Sequence, residues 1–183
     1  EHGTGNALTS NVGYENVGVD FDAAKADLTA KSSYWSTLDQ TGTVSYNSDH
    51  NHIFLEGTGD LVVFNLVEDQ LDRINRSFNV DPGSTVLVNI SGLNPTMESW
   101  SWAVNGNATT NSMPNEANIL FNFFEAQTLT VGSTQVPGSI LAPNADLVLT
   151  GGGINGQTIV NNATQQGGGQ FNNFSFTGTL PSG

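Results

Sequence analysis

The run GSILAPNADLVLTGGGINGQTIV, residues 138–160, constrains the fold of this chain more than any other. Short apolar bites alternate with Gly and Asn, and Asp146 is the run's one charged residue. It is interrupted too often for a helix and is too rich in glycine for an ordinary hairpin. Ile119, Ile140 and Ile159 head similar bites about twenty residues apart. A period of that length is one turn of a β-solenoid, in which each coil covers the apolar interior of its neighbour. Glycine permits positive φ at the corners, and turn amides bond free backbone groups. The expectation is a right-handed parallel β-helix with Ile119, Ile140 and Ile159 in one vertical column. A β-sandwich is the alternative that the same short strands allow.

The chain reads as a single domain over 1–183, with three parts. Residues 1–19 carry Gly and Asn without clear period and suit an N-terminal arm or edge strand. A helix is expected over 20–41: Asp20 is an N-cap, and Phe21, Ala24, Leu28, Trp35 and Leu38 follow helical spacing. Gly42 stands where a glycine stop is expected. Residues 43–180 read as β-coils, with strands in HIFLE, LVVFNLV, STVLVNI, NILFNFF, TLTV, SILA, DLVLT, QTIV and QFNNFSF. A short helix or turn, VEDQLDRINRS, interrupts them.

Composition removes several functions. Four Lys and Arg against seventeen Asp and Glu give a net charge of −13, so the groups that neutralise phosphate are nearly missing. Nucleic acid and anionic lipid are excluded as partners on that ground. With no cysteine there are no disulfides and no thiolate sites. No apolar run approaches the length of a membrane span. A cysteine-free chain rich in Gly, Asn, Ser and Thr suits an extracellular, secreted or cell-surface setting.

Few constellations promise chemistry. Asp49-His50-Asn51-His52 would place His50 and His52 on one side of a strand, as a Zn²⁺ or Cu²⁺ ion requires, but the sequence places no third ligand and the cluster reads first as a polar turn. Asp20 with Asp22, and Glu68 with Asp69 and Asp72, supply the oxygen ligands of Ca²⁺. The former pair also suits helix capping, and the latter set suits a solvated face. Arg73 and Arg76 are expected to pair with Asp69 and Asp72. Trp100 and Trp102 share one face of an extended segment, either as core or as a stacking platform. Both lysines, Lys25 and Lys31, lie on the helix and should face water. Sequons occur at Asn75, Asn89, Asn107, Asn162 and Asn173. No triad or clustered carboxylate pattern is legible, so no enzyme and no cofactor are expected.

VLVNISG, ILFNFFEAQTLTV, VPGSILAPNADLVLTGGGINGQTIV and FNNFSFTGTL, with the helix FDAAKADLTAKSSYWSTL ahead of them, resemble the choice-of-anchor A domain of bacterial surface and secreted proteins. The order of elements is also similar to bacterial ice-binding proteins, which set a helix beside a β-helix. The resemblance covers about residues 20 to 180 and implies a non-catalytic, adhesin-like or matrix scaffold. Domains of this family carry more strand sequence before the helix than the nineteen residues here, and TLPSG at 179–183 lacks the features of a sortase signal. The expected partners are the chain itself, as a homopolymer through solenoid ends or the N-terminal arm, or a surface or matrix ligand. Ice binding is the competing function. Thr128, Thr130, Thr150 and Thr158 would serve it, although no T-x-T ladder recurs in successive repeats.

Overall fold

The computed structural model describes residues 20–71, 75–98, 101–110 and 118–183. They are mainly β, with one helix against a curled parallel sheet and two smaller sheets beside it.

Helix α1 spans Phe21–Trp35. Asp20 caps it as expected, its carboxylate accepting the Ala23 N–H at 2.9 Å. The helix ends at Trp35 rather than running to 41, because its last carbonyls find partners in the sheet. Asn122 Nδ2 donates to Ser32 O at 2.9 Å and Asn89 Nδ2 to Trp35 O at 2.8 Å, while Asn65 Nδ2 reaches Leu38 O at 3.0 Å. Gly42 is therefore no helix stop. It lies against Phe64, where a Cβ would come within 2.2 Å of the ring. The buried side of α1 is Leu28, Ser32 and Trp35; Ala24 is exposed, and Phe21 is 72% exposed.

Among the described residues, fifteen strands follow it. β1 (Thr43–Tyr46), β2 (His52–Gly57), β4 (Asn75–Val80), β7 (Ser101–Val104) and β8 (Asn107–Ala108) form one sheet in that order. β2, β4 and β7 are parallel, and antiparallel β1 and β8 close the two edges. β3 (Leu61–Val67), β5 (Thr85–Ser91), β9 (Ile119–Asn122), β12 (Ser139–Leu149), β10 (Thr128–Val131) and β6 (Thr96–Met97) form the curled sheet, with β14 (Thr158–Gln165) also on β12. All its pairings are parallel, unlike those of an ordinary antiparallel sandwich. The third sheet is β11 (Gln135–Val136), β13 (Gly153–Ile154) and β15 (Gln170–Phe171).

SILA and DLVLT, expected as two strands, are one strand, β12, with a register shift between Ala142 and Asp146. Its first part pairs with β9 and its second with β10, so this irregularity curls the sheet. β4 and β7 arise where no strand was expected, and QFNNFSF is a strand only at Gln170–Phe171.

Alternate strand residues divide the core in two. Val62, Phe64, Val88, Phe121 and Ile140 point into the main cluster; Val63, Leu87, Leu120 and Leu141 point out, under Trp35. The isoleucine column does not form. Ile119 lies beside Val86, Ile140 between Phe121 and Thr158, and Ile159 beside Leu141 on the helix side. The register advances by fewer residues per parallel neighbour than the isoleucine spacing, which drops Ile159 onto the opposite face. The corner glycines do what the opening run suggested. Gly138 has φ +108°, and a Cβ there would meet Ile119 O at 2.4 Å; one on Gly156 would meet Gly138 O at 2.4 Å.

Arg76 is 1% exposed and points into the core. Its Nε donates to Leu71 O at 2.8 Å, and its guanidinium lies 5.0 Å from the centre of the Trp102 ring. Trp102 is core, stacked on Phe78 at 5.5 Å and edge-on to Phe121 at 5.2 Å. Asp72, Arg73 and Trp100 lie outside the described residues.

Candidate functional site

Two outward sheet faces carry ordered polar side chains. On the first, parallel register sets His52 beside Asn75 and Ser101, Phe54 beside Ser77 and Ala103, and Glu56 beside Asn79. These alternate with Ile53, Leu55, Phe78 and Trp102, which fill the interior. Cross-strand bonds hold the grid: His52 Nε2 to Ser77 Oγ at 2.7 Å, Ser101 Oγ to Asn75 Oδ1 at 2.7 Å, and Asn79 Nδ2 to Glu56 Oε1 at 3.4 Å. His52 and Phe54 stack at 4.1 Å. Burial holds the His52 imidazole below the ordinary histidine value, which favours its neutral form.

On the second face, Thr96, Thr130, Val148 and Thr164 share one cross-strand row, and Thr128, Asp146 and Asn162 the next. Inward between them lie Met97, Leu129, Val131, Leu147 and Leu149. Thr128 Oγ1 donates to Asn94 Oδ1 at 2.8 Å. Asp146 Oδ1 accepts from Asn161 Nδ2 at 2.9 Å and Asn162 Nδ2 at 3.0 Å. These two bonds, that from Asn161 first, hold its carboxyl below the usual aspartate range.

The expected ligand groups are placed as follows. β2 begins only at His52, so the strand that would aim His50 and His52 to one side is missing. His50 occupies a turn with φ +53° and stacks on Tyr46; His52 stacks on Phe54. Asn47 Oδ1 accepts the N–H groups of Asn51 and His52 and holds that turn. Asp69 is exposed on the 3-10 turn Glu68–Leu71, where the Glu68 carboxylate accepts the Asn94 N–H at 3.0 Å. Among the described residues no three His, Asp or Glu gather as a metal shell.

Of the four threonines, Thr128 and Thr130 lie on the second face. Thr150 is at a corner, and the Thr158 hydroxyl is buried. Lys25 does not simply face water: its Nζ donates to Asn161 Oδ1 at 2.7 Å. Sequence reasoning missed the asparagine row Asn65–Asn89–Asn122. Its signal is one polar residue at the same place in VFNL, LVNI and LFNF.

The sequence of this chain has a counterpart among known families. Residues 2–173 match the family model described as "Putative Ice-binding-like adhesive domain". The chain belongs to that family. No curated protein and no solved structure matches this ice-binding-like adhesive domain. Adhesive domains are non-catalytic in kind and work at a surface or after secretion. Among the described residues of this one, no helix is long and apolar enough to cross a membrane.

Proposed function

We infer that this chain is a non-catalytic structural or adhesive module of the cell surface or extracellular matrix, similar in kind to the choice-of-anchor A domains. Its body is a β-solenoid in which β2-β4-β7, β3-β5-β9-β12-β14 and β11-β13-β15 are the successive sides of stacked coils. Parallel pairing of strands at one rung per coil supports that reading. The observation that carries the function is the hydrogen-bonded grid of His52, Ser77, Asn75 and Ser101 around Phe54. Side chains already fixed by their neighbours lose little entropy on contact, so a flat face can gain affinity from many weak bonds. Hydroxyl, amide and aromatic groups in such a grid suit a polyhydroxylated surface. Retention of fluorescent protein on immobilised polysaccharide tests this. Ser77→Glu is expected to cut retention at least about tenfold by opposing charge and bulk. Equal retention of wild type and variant sinks the assignment to this face.

Ice binding is the second reading, favoured by the row Thr96, Thr130, Val148 and Thr164. Strand spacing of about 4.8 Å sets its regular rise. Absence of both thermal hysteresis and recrystallisation inhibition at high concentration removes it.

A further inference from the structure

The edge strands of the curled sheet are finished differently: β6 lies against the Glu68–Leu71 turn, and β3 and β14 stand at opposite ends of the remaining strands. At the β3 end the chain caps its own edge: Thr41 and Gly42 donate to Val63 O at 3.0 Å, and Thr41 Oγ1 and Gln40 Oε1 accept the Val63 and Asn65 N–H groups. At the other end β14 pairs with β12 alone, and no described residue takes its far edge. This edge strand carries few of the usual protections of its own, although Lys25 of α1 reaches Asn161 on it. Thr158–Gln165 contains no Pro, Lys or charge, and most of it is exposed. Ile159 and Phe171 stand 37% and 40% exposed near it. Phe171, Val160 and Ala163 line an open depression of about 330 Å³ on the face opposite Ile159.

Charge points to the occupant. The molecule carries −13, yet no charged residue follows Asp146 in the sequence. Like-charged copies repel except through a neutral patch, and β14 with β15 is built wholly from this neutral stretch. We propose that the β14 edge is a docking surface for a second copy of this chain, which joins through its own β14 in antiparallel register about a two-fold axis. Because the β3 end is already capped, identical ends meet, and assembly closes at a dimer instead of growing as a fibre. The expected homopolymer through both ends is thereby limited to one end. The proposal does not rest on the adhesive reading.

Gln166 N–H reaches Leu149 O at 2.7 Å, so strand alternation turns the Ala163 N–H to the free edge. Ala163→Pro removes that donor without breaking a bond to β12. Ala163→Glu instead brings a carboxylate from each copy into the interface and keeps the question open should the proline variant misfold. Sedimentation equilibrium of the full 183-residue chain, from micromolar to near-millimolar concentration, should find a species at twice 19.3 kDa. Each Ala163 variant should raise its dissociation constant at least about tenfold. Thr58→Glu, an exposed turn substitution, should leave it unchanged. A monomer at every concentration overturns the proposal. So do polymers beyond the dimer, or folded Ala163→Glu protein that dimerises like wild type.

Discussion

Asn122 is fully buried, yet all three of its hydrogen bonds are made: to Ser32 O and Asn89 Oδ1 as donor, and from Ser32 Oγ as acceptor at 2.6 Å. Asn122→Ala strands those groups without water, at about 1–3 kcal/mol per unpaired group. The urea midpoint should fall with its slope unchanged. Asn122→Asp should be worse at neutral pH, since a carboxylate would face Ser32 O and Asn89 Oδ1 at a helix C-terminus. Its deficit should shrink on acidification, when the carboxyl regains a donor. Asn89 is 2% exposed, so its sequon cannot be used once the chain has folded. His52 gives a second pH signature. Its folded value lies below the ordinary 6.5, so as pH falls past 6.5 the unfolded chain takes up the proton first. Stability should be level above that point and decline from it down to the folded value. NMR titration of the imidazole and the loss of this slope in His52→Gln check the assignment.

Helix α1 works as a strut across the curled sheet. Fifteen residues at about 1.5 Å each give a rod of about 22 Å, against about 19 Å for the four gaps between five adjacent strands. It runs from Lys25 beside β14 to Trp35 beside Asn89 on β5. Trp35 fastens the far end, packing on Val63, Leu87 and Leu120 and donating from Nε1 to Pro181 O at 2.9 Å. Trp35→Ala should cost about 3–5 kcal/mol and also release the tail. Amide exchange at Phe176–Leu180 should accelerate more than in the β2-β4-β7 sheet; uniform acceleration would show that the helix is not a local fastening. Elements of this kind were only partly legible in the sequence. LVVFNLV and STVLVNI are apolar on both faces, because one face lines the interior and the other meets α1. Such runs announce strands. NRSFNV does not, since Arg76 occupies an inward position that carries Ile53 on one neighbour and Trp102 on the other. The outward grid was hidden for a related reason: H-x-F-x-E and N-x-S-x-N alternate clearly, but only the parallel register lays them side by side.

Across the whole molecule, the acidic excess is a repulsive burden rather than a bonding scheme. Among the described residues the one ion pair is Lys31–Asp27 at 2.8 Å, an exposed i, i+4 contact of little energetic weight. Carboxylates greatly outnumber cations, and folding brings them closer than they lie in the unfolded chain. Screening should therefore stabilise this protein. Raising NaCl from about 10 mM to about 150 mM shortens the Debye length from about 30 Å to about 8 Å. The melting temperature should rise on the order of a few degrees. A fold held by surface salt bridges would respond in the opposite direction. Tetramethylammonium chloride at the same ionic strength should act alike if screening is the cause. A response confined to Ca²⁺ would instead reveal a discrete cation site. Either result bears on how the outward faces work. The first face offers Glu56 and a neutral-leaning His52, and the second offers Asp146 already held by two asparagines. A molecule that repels at long range and presents weakly charged polar faces at contact should adhere better as salt increases. Retention on a neutral surface should therefore climb over the same range in which the melting temperature climbs, and a fall would show that charge itself makes the contact.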